Sequence, residues 1–549
     1  MTARDVYVVG LDGVPPDLLA TGIADGRLPN LERLQQEGAS GTTRSTIPPI
    51  SMMAWSTFAT GRHPSGHGVF NFMRKAEGGY DTEFVNAEHL RATATPFWEY
   101  LDARGISTGV MNVMPGYPAS RTRGFHIVDH ITTPRNGTVA YPPATEDEFR
   151  ESFERFSIGP PTGAGADMDA DDLDAYLDRF FDVERDRIEA TKRTIEQRDY
   201  RASVLVFSGP DVLLHEIGYL RDPSHPAYDP ALADRYADVP LDLLEAYDDF
   251  LGWLLDRTTE DDAIVVLSDH GHGPLYRAVN LNAWLYQEGF LSLRSSPTTL
   301  LKQFGYNHLF GAFESLTKRL DVYHTIKRAV ARSSGSGGDG DGVDWSSLLT
   351  ISQGDVDWSE TEVFTVAGDG QLWVNTTDHE AGIVEEAAYE RVRERLRTQL
   401  LDLTDPETGR QVVAAVEDGE DVYGDGPARC PDLVCVPEPG YRFMFPQTMQ
   451  TNRVFDTPQK PASHTSAAER EGIFLAWGKD VRTADDVTVG LEEYAPSLLG
   501  LLGLPVADVM DGTPRTDIFE IEADGREPYA NRVAVSRAAH DAARTITEK

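Results

Sequence analysis

Residues 47–68 read IPPISMMAWSTFATGRHPSGHG. Pro48 and Pro49 precede Ser51, and the helix-compatible run 52–60 that follows is closed by Gly61. Proline before such a run and glycine after it are start and stop signals for a short helix. The spacing therefore predicts a helix with Ser51 at or near its N-terminal cap, where unpaired backbone N–H groups and the positive end of the helix dipole face outward. A terminus of this kind suits a phosphate or sulfate oxyanion. A serine that merely caps its helix is the ordinary case, so reading Ser51 as a nucleophile turns on what the rest of the chain supplies.

Elsewhere, apolar runs end in residues that can ligate a metal. Residues 6–10 are continuously apolar and lead into Leu11-Asp12-Gly13, the pattern of a strand buried on both faces. The run 203–207 is followed by Asp211, with His215 four residues on, so one helical turn places both on one side. The run 263–267 is followed by Ser268-Asp269-His270 inside SDHGHG. Adjacent residues of an extended strand face opposite ways, so Asp269 and His270 share a site only if the chain turns, which Gly271 and Gly273 permit. In a parallel sheet such strand ends lie along one edge, where ligands bind. Carboxylates and imidazoles gathered there suit zinc or a similar divalent ion. Each strand-end Asp alone is more often a cap or turn former; the set together is not easily an accident.

Between these runs, helical patterns fall at 28–36 (with Asn30 as its cap), 97–104, 171–198 and 241–255, and a further strand at 107–113. Strand and helix alternate, which argues for an α/β fold: a mainly parallel central sheet with helices on both faces. The alternation breaks after residue 294. The division expected is a first core part over 1–294, a helical insertion and Gly/Ser/Asp linker over 295–345, a second core part over 346–523 and a polar, loosely docked tail over 524–549. In the second part, strands are expected at 363–375, 433–436 and 472–475, and helices at 388–401 and 494–502. The insertion carries Lys302, Lys318, Arg319, Lys327 and Arg328 within 300–332; it reads either as a lid that attracts an anionic substrate or as a helix pair docked on the core.

At 549 residues the chain can bury more than one core layer. Asp and Glu number 89 against 50 Lys and Arg, a formal charge of −39, which disfavours nucleic-acid polymers and anionic membranes as partners. The acid is spread along the chain, so it reads as solvation of the whole surface, as in proteins of salt-loving cytoplasms where ionic strength screens self-repulsion. Cys430 and Cys435 stand five apart on an expected strand and point to opposite faces, so neither a disulfide nor a metal knuckle is expected. No basic-apolar-small leader opens the chain and no apolar stretch is long enough to span a bilayer. The expectation is a cytoplasmic protein.

Taken in order, Asp12-Gly13, Ser51 ten residues before Gly61, HPSGHG, Asp211 with His215, Ser268-Asp269-His270-Gly271 and a late His464 in PASHTS resemble the alkaline phosphatase superfamily. Within it, the chain is most similar to the type I phosphodiesterase/nucleotide pyrophosphatase branch, over residues 5–290 and 360–510. The resemblance implies a metal-dependent phosphodiesterase acting on a small phosphodiester or related anion through a covalent phospho-Ser intermediate, with Ser51 as nucleophile. It also implies two divalent ions, zinc foremost and manganese as the alternative. Asp211, His215 and His464 would hold one; Asp12, Asp269, His270 and the Ser51 oxygen would hold the other. One ion would lower the pKa of the hydroxyl and the other would neutralise charge on the phosphoryl or leaving oxygen.

The chain departs from that branch in places. The branch usually has Thr at the nucleophile, for which Ser is equivalent. Its oxyanion-binding Asn, counted from Ser51, falls on Phe72, which leaves Asn71, one residue early, and Asn112, in MNVMPGYP, as substrate-binding candidates. His63, His67 and His272 read as structural or supporting residues. A sulfatase on this scaffold needs a Cys/Ser-x-Pro-x-Arg context that Ser51-Met52-Met53-Ala54-Trp55 lacks. A phosphomonoesterase needs a guanidinium clamp; no Arg sits beside Ser51, although Arg62 could fold back. A phosphotransferase would use the same site. A non-catalytic binding protein is disfavoured because no proposed ligand has been replaced.

Overall fold

The computed structural model describes residues 3–152, 157–163, 168–197, 200–297, 299, 302, 351–444, 448–449, 453–522 and 525–547. Its centre is a nine-stranded sheet in the order Ala484–Gly490, Ala39–Arg44, Glu471–Gly478, Ala263–Leu267, Val6–Leu11, Ala202–Phe207, Thr108–Met111, Phe125–Ile127, Ala140–Tyr141. The five strands from Ala263–Leu267 to Phe125–Ile127 are mutually parallel. Glu471–Gly478 runs antiparallel to both of its neighbours, and Ala140–Tyr141 closes the far edge antiparallel.

Successive side chains of the parallel strands enter different cores, as a period of two requires. Val8, Val204, Val206 and Val265 pack with Trp55, Phe58, Phe97 and Leu498 on one face. Val9, Leu205, Phe207 and Val266 pack with Leu31, Phe180, Phe250 and Leu251 on the other. Helices Ser51–Thr60, Phe97–Ala103 and Leu491–Leu501 thus cover one face, and Pro29–Glu37, Ala170–Gln197 and Val239–Leu255 the other. This is the expected α/β layering. Burial on both faces is why the central strands read as unbroken apolar runs.

Ala39–Arg44, with the sequence ASGTTR, has no such run, yet lies inside the sheet. A Cβ on Gly41 would stand 1.9 Å from Val487 O, so close approach of neighbouring backbone, not side-chain hydrophobicity, selects its residues. Residues 363–375, expected as one strand, form a hairpin of Val363–Phe364 and Gln371–Val374. The hairpin belongs to a separate antiparallel sheet with Leu433–Pro437 and Val413–Asp418. Helix Glu386–Leu401 backs it, around a core that includes Leu372, Leu396, Leu400, Val416 and Leu433.

Two local expectations are corrected. Asn30 is not a cap: Pro29 opens the helix after Leu28, and Asp248 on the packed helix Val239–Leu255 accepts from the backbone N–H groups of Asn30 and Leu31, at 3.1 and 2.7 Å. The tail is not loose. Helix Ala530–Thr547 docks on Phe97–Ala103, where the buried acids Glu99 and Asp102 need partners. Arg537 bonds Glu99 at 2.6 Å, His540 bonds Asp102 at 2.9 Å, and Tyr529 packs on Tyr100. Apart from Lys302, the basic segment 300–332 and the linker 333–343 lie outside the described residues. Both cysteines are free. Among the described residues no helix is long and apolar enough to cross a membrane.

Candidate metal centre

Three strand ends and one helix N-terminus meet at the carboxyl edge of the parallel strands. Asp12 follows Val6–Leu11, and Asp269 and His270 follow Ala263–Leu267. Asp211 and His215 lie on the helix Gly209–Ile217, which begins directly beyond Ala202–Phe207. His464 follows Ala462–Ser463, which pairs antiparallel with Gly273–Pro274 just beyond SDHGH. Ser51 is the first residue of its helix, with Ile50 at the cap and Gly61 closing the far end at φ 63°. The predicted position was right to within one residue.

The hydrogen bonds behind the histidines fix what they present to the centre. His215 Nδ1 donates to Ala462 O at 2.7 Å, His270 Nδ1 to Gly271 O at 2.9 Å and His464 Nδ1 to Pro49 O at 2.6 Å. A carbonyl only accepts, so each ring carries its proton on Nδ1 and turns a lone pair on Nε2 inward, the tautomer a metal requires. His215 Nε2 and His464 Nε2 then face each other at 3.3 Å, and lie 3.4 and 3.5 Å from Asp211 Oδ1. Burial is the main cause that holds both imidazoles below their ordinary pKa, so no ring proton bridges the gap. The Ser51 hydroxyl donates to His270 Nε2 at 2.9 Å. The same nitrogen is 3.2 Å from Asp269 Oδ2 and 3.8 Å from Asp12 Oδ1.

Acceptors facing acceptors are the fit test for a cation. Asp12 Oδ1, Asp211 Oδ1 and Asp269 Oδ2 are buried without a hydrogen-bond partner among the described residues. Such oxygens are costly to leave bare. Burial, followed by the charges of Asp269 and Asp211, holds the Asp12 carboxyl well above the usual carboxylate range; burial foremost pushes Asp269 up to about 8. Two groups have ligand atoms within 4.8 Å of one another: Asp211, His215 and His464, and Asp12, Asp211 and His270. Asp211 is therefore in reach of both, where the sequence reading gave it to one. The donors fit divalent metal in kind, and the three rings turn their lone pairs toward it.

Two further residues stand at the centre, one of them, Trp55, not foreseen. Trp55 donates from Nε1 to Asp12 Oδ2 at 3.1 Å; standing four residues after Ser51 on one helix, it shares that helix face. A Cβ on Gly10 would meet its ring at 2.6 Å, so the strand leaves room for the indole. His272 has its side chain 2% exposed, and its Nε2 lies 3.8 Å from Asp211 Oδ1 with no hydrogen-bond partner among the described residues. Its signal was the second histidine of SDHGHG, taken above as supporting. His67, by contrast, is structural: Nδ1 accepts from Val69 N, Nε2 donates to Thr57, and burial lowers its pKa to about 3.

Neither substrate-binding candidate touches the ligand residues among the described contacts. Asn71 is fully buried, with Nδ2 facing Gln371 Oε1 at 3.3 Å and Asp369 Oδ2 at 3.5 Å. Asn112 is buried at φ 58°. With its amide nitrogen donating to Val128 O and Ile158 O, both at 3.0 Å, its oxygen accepts from Arg187. Arg62 does not fold back toward Ser51; it bonds Thr93 O and lies 3.9 Å from Asp511.

The family model described as type I phosphodiesterase/nucleotide pyrophosphatase matches residues 6–466. No curated protein is significantly similar to the chain in sequence. Among solved structures, alkaline phosphatase PafA is similar over 94% of this chain and 99% of that one, at 12% identity and a TM-score of 0.54. Phosphonoacetate hydrolase from Sinorhizobium meliloti, in complex with phosphonoacetate, is similar over 90% and 94%, at 13% identity and a TM-score of 0.50. Murine ectonucleotide pyrophosphatase/phosphodiesterase 5 aligns over 91% and 95%, at 14% identity and a TM-score of 0.47. At such identities the likeness shows the alkaline phosphatase-like fold alone.

Proposed function

This chain belongs to the type I phosphodiesterase/nucleotide pyrophosphatase family, a family of phosphoester hydrolases, and we propose that it cleaves phosphodiesters at a two-metal centre with Ser51 as nucleophile. The observation that carries the reading is one serine hydroxyl at a helix N-terminus, ringed by three carboxylates and three imidazoles whose inward atoms are all acceptors. Asp211, His215 and His464 would hold one ion; Asp12, Asp269, His270 and Ser51 would hold the other. Zinc suits the mixed oxygen and nitrogen donors, with manganese as the alternative. When bound, the metals supply Lewis acidity to the hydroxyl and to the phosphoryl oxygens.

The chain's own part is to position. The first turn of the Ser51 helix sets the hydroxyl against the ligands and offers backbone N–H groups to an oxyanion. Trp55 locks the Asp12 carboxylate, and the carbonyls of Pro49, Ala462 and Gly271 lock the rings. Attack of the Ser51 oxygen on phosphorus forms one P–O bond and breaks that to the leaving alcohol. Water then hydrolyses the phospho-Ser51 ester. The charge of −39 supports a salt-rich cytoplasm as the working environment.

The test is hydrolysis of a nitrophenyl phosphodiester against the matching monoester, in high salt with added zinc or manganese, for wild type and Ser51→Ala. Diester preference that vanishes in Ser51→Ala supports the reading. Monoester preference moves the assignment to a phosphatase. Two bound metals with neither ester turned over points to transfer onto an acceptor alcohol.

A further inference from the structure

At the amino edge of the central sheet, opposite the metal centre, a cavity of about 400 Å³ lies between the starts of parallel strands and the ends of two helices. The strands are Val6–Leu11, Ala202–Phe207 and Ala263–Leu267, and the helices are Ala170–Gln197 and Val239–Leu255. Glu196 and Asp256 line it from the helix ends; Tyr7, Ser203 and Asp262 line it from the strand starts. Tyr7 and Ser203 are register partners on adjacent parallel strands, so both side chains rise from one face of the sheet. A helix ends in carbonyls without intrahelical partners and in the negative pole of its dipole. Neither helix carries a basic residue in its last turn. Two negative poles therefore meet beside a wall that bears carboxylates.

Two side chains on that wall are left unsatisfied. Asp262 is 4% exposed, and its Oδ2 accepts from Thr259 N at 2.8 Å and Thr259 Oγ1 at 3.0 Å. Its Oδ1 has no hydrogen-bond partner among the described residues. Ser203 is 1% exposed, and its Oγ has none either. The guanidinium groups of this edge are exposed and paired elsewhere: Arg257 lies 3.4 Å from Glu196 and Arg4 lies 3.5 Å from Asp5. Burial, followed by the charges of Asp5 and Asp262, pushes the Tyr7 hydroxyl up to about 12, so the phenol stays neutral.

A buried carboxylate oxygen and a buried hydroxyl, both bare, are costly unless something accepts their lone pairs. One carboxylate among neutral oxygens calls for one positive charge. Among the described residues, the groups of three or more carboxylate and imidazole atoms within 4.8 Å of one another are those at the metal centre. Oxygen donors alone suit a hard ion. We propose that this cavity binds an alkali cation, potassium or sodium, held by Asp262 Oδ1, with Ser203 Oγ and water filling its shell. The ion joins the starts of Ala202–Phe207 and Ala263–Leu267, the two strands that flank Val6–Leu11, and stabilises the fold. Its effect is separate from the diffuse screening that a charge of −39 attracts.

Thermal unfolding of the whole chain tests this, with zinc present so that the carboxylates of the opposite edge are covered. Ionic strength is held constant while tetramethylammonium chloride is exchanged stepwise for potassium or sodium chloride. Tetramethylammonium screens charge but is too large for an oxygen shell of this kind. A bound ion stabilises by mass action, so the wild-type melting temperature should rise with the alkali ion and then level off. Asp262→Asn should lose that saturable rise. Ser203→Ala should need about tenfold more salt to reach half of it. Crystals grown in rubidium chloride should show an anomalous peak beside Asp262. Equal melting in tetramethylammonium and in both alkali salts overturns the proposal, as does a saturable rise that persists in Asp262→Asn. A rise with methylammonium but with neither alkali ion overturns it in favour of an organic amine. If Asp262→Asn does not fold, the wild-type crystal decides: rubidium in the cavity supports the site, and its absence there overturns it.

Discussion

At the end of the strand Thr108–Met111, Glu184 and Arg187 are each 1% exposed and pair at 2.6 Å. Tyr247 donates to the other carboxylate oxygen at 2.6 Å, and Asn112 accepts from the guanidinium. At neighbouring strand ends, the buried Asp12 and Asp269 stand beside Asp211, whose side chain is 15% exposed, and among the described residues only histidines lie within ion-pair distance of them. The first cluster neutralises its buried charge within the chain. The second leaves it open, in a protein where buried ions without partners cost several kcal/mol each. The difference separates a polar cluster that serves the fold from one shaped for cations the chain does not contain.

The largest effect expected from that contrast is on activity. Chelation should reduce phosphoester hydrolysis to background, and added zinc or manganese should restore it. Asp211→Asn should lower the metal count at both positions, because Asp211 belongs to both ligand groups; elemental analysis of the purified variant decides this. Full metal content in Asp211→Asn would break the comparison at its centre. In the satisfied cluster, Arg187→Met leaves the Glu184 charge buried and unpaired, at about 3–5 kcal/mol of stability. Denaturant unfolding measures that loss, and metal content should not change. Asp12→Asn should have the reverse signature, with metal lost and the metal-free fold no less stable.

How much of this was legible follows from the range of the forces involved. Asp12, Asp269 and His270 could be read because a buried parallel strand is a continuous apolar run, and its end is visible in the chain. Asp211 and His215 could be paired because four residues make one helical turn. Ser51 was placed within one residue by local proline and glycine signals. The ion pair of Arg442 with Asp369, beside Asn71, was not legible, since it joins residues 73 apart across a hairpin whose turn depends on a left-handed aspartate. The strand alternation of Tyr441-Arg442-Phe443, apolar on either side of one arginine, was the available trace. Glu184 and Arg187 fall within the helix expected at 171–198, but nothing local shows which of its charged residues turn inward. Ala39–Arg44 was hidden because its small residues answer to a neighbouring backbone.

A smaller effect sharpens the contrast through pH. A carboxyl that holds its proton more tightly folded than unfolded stabilises the fold fully below its unfolded pKa and loses that contribution as pH rises through the folded value. For Asp269 the folded value is about 8. The metal-free protein should therefore lose stability as pH climbs from about 4, the ordinary aspartate value, to about 8. Loading metal at pH 6 to 7 should expel protons, seen as a buffer-dependent heat in calorimetry, and should flatten the pH dependence. A metal-free protein equally stable across this window would show that the carboxylates find other partners.

The smallest change tests whether the two clusters are independent. Tyr247→Phe removes one hydroxyl, keeps the ring packed 4.9 Å from Phe207 and leaves a Glu184 oxygen bare. A hydrogen bond to a charged acceptor is worth about 2 kcal/mol, so unfolding should show a loss of that size and metal content should hold. The reason to measure both is Gly209. A Cβ there would lie 2.5 Å from the Tyr247 hydroxyl and 2.9 Å from Glu184 Oε2, and Gly209 begins the helix that carries Asp211 and His215. If Tyr247→Phe loses metal as well as stability, the satisfied cluster is the floor on which the open one is held, and its burial serves the site as much as the fold.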